Sequence, residues 1–333
     1  MKGLLLGLAV TAALLVANAA FMGVFGAALA MPPYLLQVIC LAGINITLAV
    51  SLNLINGYTG QFSLGHAGFM AVGAYTAASI TTVLGPRVLP LLGGPNSPFA
   101  TSTLFVGALF CGGLAAALSG LFVGVPCLRL KGDYLAIATL GFAEIIRVVL
   151  QNMDSVGGAR GFAGIPPYTN FFWTFFLASL STYVVVNLVH STYGRGFLAV
   201  HDDEIAAEAM GIDTTKYKVT AFIIGSFFAG IAGGLYGHFK QFLVPEGFNF
   251  MKSIEIVVMV ILGGMGNTVG VIVAAILLTV LTEASRSFGD YRMIFYSLLL
   301  IVLMLTCPKG LTQIWHKARQ FWDRFIWARI KKA

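Results

Sequence analysis

Ten apolar runs divide the chain, at about 3–21, 34–55, 67–84, 101–126, 134–150, 171–190, 219–239, 254–264, 269–285 and 293–305. A helix rises 1.5 Å per residue, so crossing a bilayer core takes roughly 20 apolar residues. Most runs approach that length. The pattern therefore predicts an all-α polytopic membrane protein with about 8–10 transmembrane segments, some broken or re-entrant. The 254–264 run is too short to cross alone and reads as a half-helix. The first run also fits a signal peptide, with Lys2 as its positive start and Ala17-Asn18-Ala19 resembling a cleavage site.

One interruption is unusual. The stretch SLNLINGYTGQFSLGHAGFMAVGAY, residues 51–75, opens as a membrane helix and then turns polar for about a dozen residues. In hydrocarbon every backbone N–H and C=O must be paired, so irregular backbone survives only where protein buries it or water reaches it. Glycine permits the break, and short polar side chains can satisfy the freed groups. The alternative is an ordinary cytoplasmic loop, but the interruption carries no Lys or Arg. Asn53, Asn56, Gly57, Gly60, Gln61, Ser63, Gly65 and His66 are thus candidates to line a substrate path. His66 reads better as a hydrogen-bonding packing residue than as a proton relay. A second interruption, LGGMGNTVG at 262–270, repeats the recipe and adds Gly263, Gly264, Gly266 and Asn267. Two broken regions, one in each half, point to an internal repeat around a central pathway. Close helix packing by glycine is the competing explanation.

The longest polar loop, 193–218, contains GRGFLAVHDDEIAAEAMGIDTTKYK. Asp202, Asp203 and Glu204 suit a helix N-terminus, and Gly211 suits the position just past a helix end. A short helix near 203–210 is expected. Its small Ala206, Ala207 and Ala209, with Glu208 among them, would let it lie close in a groove on another protein. Beyond the membrane domain (1–308), residues 309–333 form a basic tail. There Ile314, Ala318, Phe321, Trp322, Phe325, Ile326 and Ile330 recur at helical spacing, opposite His316, Lys317, Arg319 and Arg324. This predicts an amphipathic helix on an anionic leaflet.

Composition agrees with lipid as the solvent: 58% of the 333 residues are hydrophobic and only 10% are charged. The 39 glycines suit close helix packing in a bilayer. The net charge of +7 does not call for nucleic acid. With the N-terminus inside and ten crossings, 13 of the 20 Lys and Arg fall on the inner side, which predicts that both termini are cytoplasmic. Cys40, Cys111, Cys127 and Cys307 have no metal-site spacing and read as small apolar residues. Glu144 and Arg147 stand three apart on one helical face and can neutralise each other. No unpaired acid sits at mid-membrane depth, which argues against ion coupling. The sequence has no GxSxG, HExxH, CxxC or Walker A motif, so it offers no catalytic set, no metal site and no ATPase of its own.

The segments NLINGYTGQFSLGHAGFMAVGAY, GDYLAIATLGFAEIIRVV, GRGFLAVHDDEIAAEAMGID and VILGGMGNTVGVIVAAILL resemble the inner-membrane permeases of bacterial branched-chain amino acid ABC importers. The likeness runs through nearly the whole chain and is greatest to the larger of the two paired permeases. It implies a non-catalytic multi-pass subunit of the bacterial inner membrane. Its implied partners are a second homologous permease, two cytoplasmic subunits that bind ATP and Mg, and a periplasmic substrate-binding protein. Residues Glu204, Ala206, Ala207 and Gly211 resemble the coupling segment of importer permeases, in the loose form E-x-A-A-x-x-x-G. Urea and short-chain amide importers have close relatives, and an ion-coupled secondary transporter or a passive channel are the other classes; neither of these last two needs a coupling helix.

Overall fold

A computed structural model of the chain describes residues 32–92, 97–127 and 132–286, with isolated positions outside these ranges. The first and last apolar runs and the basic tail lie outside the described residues, so the positions of the termini do too. Within the described residues the regular secondary structure is helical, joined by irregular segments such as 59–65 and 161–170, with one isolated β-bridge between Phe162 and Leu243.

Helix α1, Pro33–Asn53, starts on a proline, whose missing N–H is not needed in a first turn. It widens into a π-helical turn at Leu54–Tyr58. After an irregular segment, α2 runs from His66 to Ser79 and its helical path continues to Val88. Helices α3 (Pro98–Cys127) and α4 (Asp133–Gln151) follow, and then α5 (Phe171–His190). Two short helices, α6 (Gly194–Asp202) and α7 (Glu204–Ala209), precede the long α8 (Thr214–Lys240). Helices α9 (Phe250–Gly263) and α10 (Thr268–Ala284) complete the described part. Local sequence sets many of these starts. Asn170, Asp203, Asp213, Asn249 and Asn267 each accept a backbone N–H of the first turn of the helix that follows.

Five described helices are long and apolar enough to cross a membrane: Pro33–Tyr58, His66–Val88, Phe99–Cys127, Phe171–His190 and Thr214–Lys240. Helix α10 is apolar but has only 17 residues. Helix α9, at 14 residues, spans about 21 Å, short of the roughly 30 Å of a bilayer core. Helix α1 is buried at the centre, while α3 exposes Val106, Phe110, Leu114, Leu118 and Phe122 along one side. Water does not tolerate so large an apolar face, and lipid tails do.

Helices α2, α3 and α8 pack on one another through small residues. A Cβ placed on Gly73 would run into the backbone of Gly230, and one on Gly233 into the carbonyl oxygen of Met70. These contacts are the close backbone packing that lipid-solvated helices rely on. Gly73→Ala is therefore expected to cost about 1–3 kcal/mol by overpacking. Gly107→Ala, whose Cβ would meet nothing within 4 Å, should be neutral or mildly stabilising. Thermal unfolding in detergent checks the pair, and equal midpoints would contradict this packing.

Two helical elements differ from the sequence expectation. The helix at the first interruption persists through Asn56 and Gly57, because a wider π turn accommodates them. The 193–218 loop holds two helices rather than one. The additional α6 starts on GRG, poor helix formers, and is held by tertiary contacts: Phe197 and Tyr193 both pack on Tyr217 of α8, with ring centroids 5.7 and 4.7 Å apart.

Candidate translocation and coupling sites

The two polar interruptions meet. Asn53 Oδ1 accepts the backbone N–H of Gly266 at 2.9 Å, and the hydroxyls of Tyr58 and Thr268 lie 2.8 Å apart. Gly57 sits in the same contact. A Cβ there would overlap both Asn53 Oδ1 and the Gly266 nitrogen. Gly264 and Gly266 have φ of 91° and 78°, so this turn uses backbone shapes that favour glycine. Gly263 closes α9 against Val271, and Asn267 caps α10.

The irregular segment after α1 is pinned from several sides. Asn56 mimics a ladder partner: its Oδ1 accepts from Ser63 N at 3.2 Å, and its Nδ2 donates to Ser63 O at 3.4 Å. Leu64 N donates to Thr139 Oγ1 of α4 at 3.1 Å, and Ala67 N donates to Ser253 Oγ of α9 at 3.2 Å. His66 Nε2 lies 2.8 Å from Ser51 Oγ. Gly65 packs so tightly that a Cβ would stand 2.6 Å from the Thr139 carbonyl oxygen. Asn53, Asn56, Gln61, Ser63 and His66 are all buried, so in this conformation they are closed off from solvent. Their bonding is incomplete. The Gln61 amide, Asn53 Nδ2 and His66 Nδ1 have no hydrogen-bond partner among the described residues. Each such group costs about 1–3 kcal/mol.

Gly60 is the exposed member of this segment. It adopts φ +68°, and a Cβ on it would stand 3.2 Å from the His201 ring of α6. The interruption thus touches the short-helix pair directly. In that pair Asp203 caps α7, its Oδ1 accepting from Ile205 N at 2.9 Å and Ala206 N at 3.1 Å. Gly211 takes φ +84°, the left-handed stop expected from the sequence. Helix α7 is fixed to α8 by Glu204–Lys218 at 2.6 Å and by Thr214 Oγ1 donating to Glu208 at 2.8 Å. Ala207 is buried against its own chain, so it does not face a groove on another protein. The exposed face is instead Ile205, Ala206, Glu208, Ala209 and Met210, with Ile205 73% and Met210 82% exposed. Sequence reasoning chose the small residues and missed these two large apolar ones.

The acids near spans are paired. Glu144 accepts from Arg147 Nε at 2.7 Å, Glu255 pairs with Lys252 at 2.9 Å, and Glu283 accepts from Tyr34 and Arg286. Among the described residues no cluster of His, Cys, Asp or Glu could hold a metal ion.

Comparison with known proteins agrees with this architecture. Residues 34–306 match the family described as branched-chain amino acid transport system / permease component. The chain is 36% identical over 303 residues to the high-affinity branched-chain amino acid transport system permease protein LivM of Salmonella typhimurium, covering 80% of this chain and 67% of that one. Identity to LivM of Escherichia coli is 37% over the same length and with the same coverage. To the LivH permease protein of Salmonella typhimurium it is 24% over 285 residues, covering 79% of this chain and 89% of that one. No solved structure gives a significant match. By its match over most of its length and by its likeness to LivM, this chain belongs to the branched-chain amino acid transport system permease family.

Proposed function

We propose that this chain is the permease subunit of an ATP-driven importer in a bacterial inner membrane, passing branched-chain amino acids delivered by a periplasmic binding protein. It would work beside a second, homologous permease and above two ATP-binding subunits that supply the hydrolysis. The substrate class is that named for the LivM and LivH relatives. The observation that carries the reading is the contact of α6 with the polar interruption, His201 against Gly60, at the base of a helix pair whose outer face is apolar and exposed.

The mechanism follows from that geometry. Closure of the ATPase pair pushes on α7. The Glu204–Lys218 ion pair and the Thr214–Glu208 bond make α7 and the start of α8 move as one body. Helix α8 packs backbone to backbone on α2, and α6 presses on the segment that joins α1 to α2. Motion is thus delivered to both ends of that segment. Opening it separates Asn53 from Gly266 and exposes the polar groups from Asn53 to His66, with Gly263 to Asn267, to a passing zwitterion. The unpartnered Gln61, Asn53 and His66 atoms lower the cost of that opening, because fewer bonds must break. Strong substrate affinity stays on the separate binding protein.

Proteoliposomes containing the whole assembly test this. Leucine uptake should require ATP and persist when ionophores collapse the ion gradients. Uptake that follows the gradient and ignores ATP would replace the importer with a secondary carrier.

A further inference from the structure

A cleft of about 360 Å³ opens between α4, the 3-10 turn Pro245–Phe248 and the start of α9. Glu144, Arg147, Glu246, Asn249, Phe250 and Met251 line it. Its size is at the lower end of small-molecule sites, about 300–1,000 Å³. Three properties separate it from an ordinary solvated patch.

First, it joins both signs of charge to an apolar wall. In a multi-pass membrane protein, charged groups that face protein or water mark pathways. Second, Arg147 is only partly committed. Its Nε is bonded to Glu144, neither Nη group bonds to a described residue, and its side chain is 24% exposed, which leaves the Nη edge for a planar anion. Glu246 is exposed and makes no ion pair with a described residue. Phe250 and Met251 are 37% and 68% exposed beside these charges. Third, the cleft adjoins the polar interruption. Ser253, two residues beyond Met251, accepts the N–H of Ala67, and Ala143, next to Glu144, is in close contact with Gly68. Along α4, Glu144 and Arg147 lie about 8–12 Å beyond Thr139, which is bonded to the interruption.

We propose that this cleft is a subsite for an α-amino acid zwitterion with an apolar side chain, placed just ahead of the interruption. The Arg147 guanidinium receives the carboxylate, Glu246 receives the ammonium, and Phe250 and Met251 cover the side chain. Glu144 holds Arg147 in place and is a positioning residue. The proposal rests on the importer reading above and adds a location that neither the motifs nor the relatives' names supply.

The test uses the complete assembly in proteoliposomes with saturating binding protein and L-leucine as probe. Arg147→Gln and Glu246→Gln should each lower uptake about tenfold or more, the scale of one lost charge-assisted hydrogen bond. Arg147→Lys should restore part of it. The exchange of charges, Glu144→Arg with Arg147→Glu, separates a binding role from a structural ion pair. It rebuilds the pair but presents the wrong charge, so uptake should stay low. A Met251→Cys variant, read at that residue by mass spectrometry, should react with a maleimide more slowly when leucine is added during turnover. Wild-type uptake in the charge-exchanged variant would overturn the subsite, as would normal uptake in Glu246→Gln or no protection at Met251→Cys. If Arg147→Gln fails to assemble, the exposed Glu246 and Met251 positions still decide the matter. Loss of ATP-dependent uptake in the unmutated assembly would instead strike the importer reading itself.

Discussion

Gly57→Val should abolish substrate uptake while Gly107→Val leaves it near normal. Even one added methyl at Gly57 overlaps Asn53 Oδ1 and the Gly266 nitrogen, the two atoms whose bond joins the interruptions. Valine must break that bond and leave a half-buried donor unpaired, at about 1 kcal/mol, besides forcing α1 from the 264–266 turn at about 1–3 kcal/mol. Gly107 faces open space on α3, so it controls for a β-branched residue in a helix. Gly65→Val meets the Thr139 carbonyl, and Gly60→Val combines a left-handed φ with contact on His201, so both should also impair uptake. Uptake and assembly yield are measured together. Normal uptake in Gly57→Val would show that the joined interruptions have no part in transport.

The second large effect is expected at the exposed face of α7. Ile205→Glu with Met210→Glu should uncouple the assembly, so that leucine uptake and substrate-stimulated ATP hydrolysis fall together. Full burial of each side chain in a partner's groove is worth about 2 kcal/mol, or roughly 30-fold in affinity. Both residues point away from their own chain, so the fold should survive the change. The binding protein's affinity for leucine should not move, because that site lies on another chain. Gly211→Val should add a milder defect: there is room for the side chain, but its φ of +84° costs a β-branched residue about 1–2 kcal/mol. Unchanged ATPase stimulation in the double variant would place the docking face elsewhere.

What the sequence revealed depended on how local the cause was. Helix starts were legible where an Asn or Asp caps the first turn, as at Asp203, and the Gly211 stop was legible because only its left-handed shape suits that place. The shortness of α9 was legible from run length alone. The contact of Asn53 with Gly266 was not legible, since 213 residues separate them and no periodicity encodes the pairing. Helix α6 was missed because aromatic packing on Tyr217 overrides its glycine-rich start. Ala207 was misjudged for a similar reason: composition suggests that a small residue makes room for a partner, yet only tertiary structure says which side of α7 faces its own bundle. The cleft at Arg147 was read as a neutralised i, i+3 pair, because its other wall comes from a turn about a hundred residues later.

Cross-linking along α7 addresses the central claim, that ATP hydrolysis reaches this chain through the short-helix pair. Single cysteines at positions 203–211 would be placed in a background with the four native cysteines replaced, within the intact assembly. Ala206→Cys and Glu208→Cys should cross-link to an ATPase subunit, and the buried Ala207→Cys should not. Normal uptake with no cross-link from any of these positions would contradict the account.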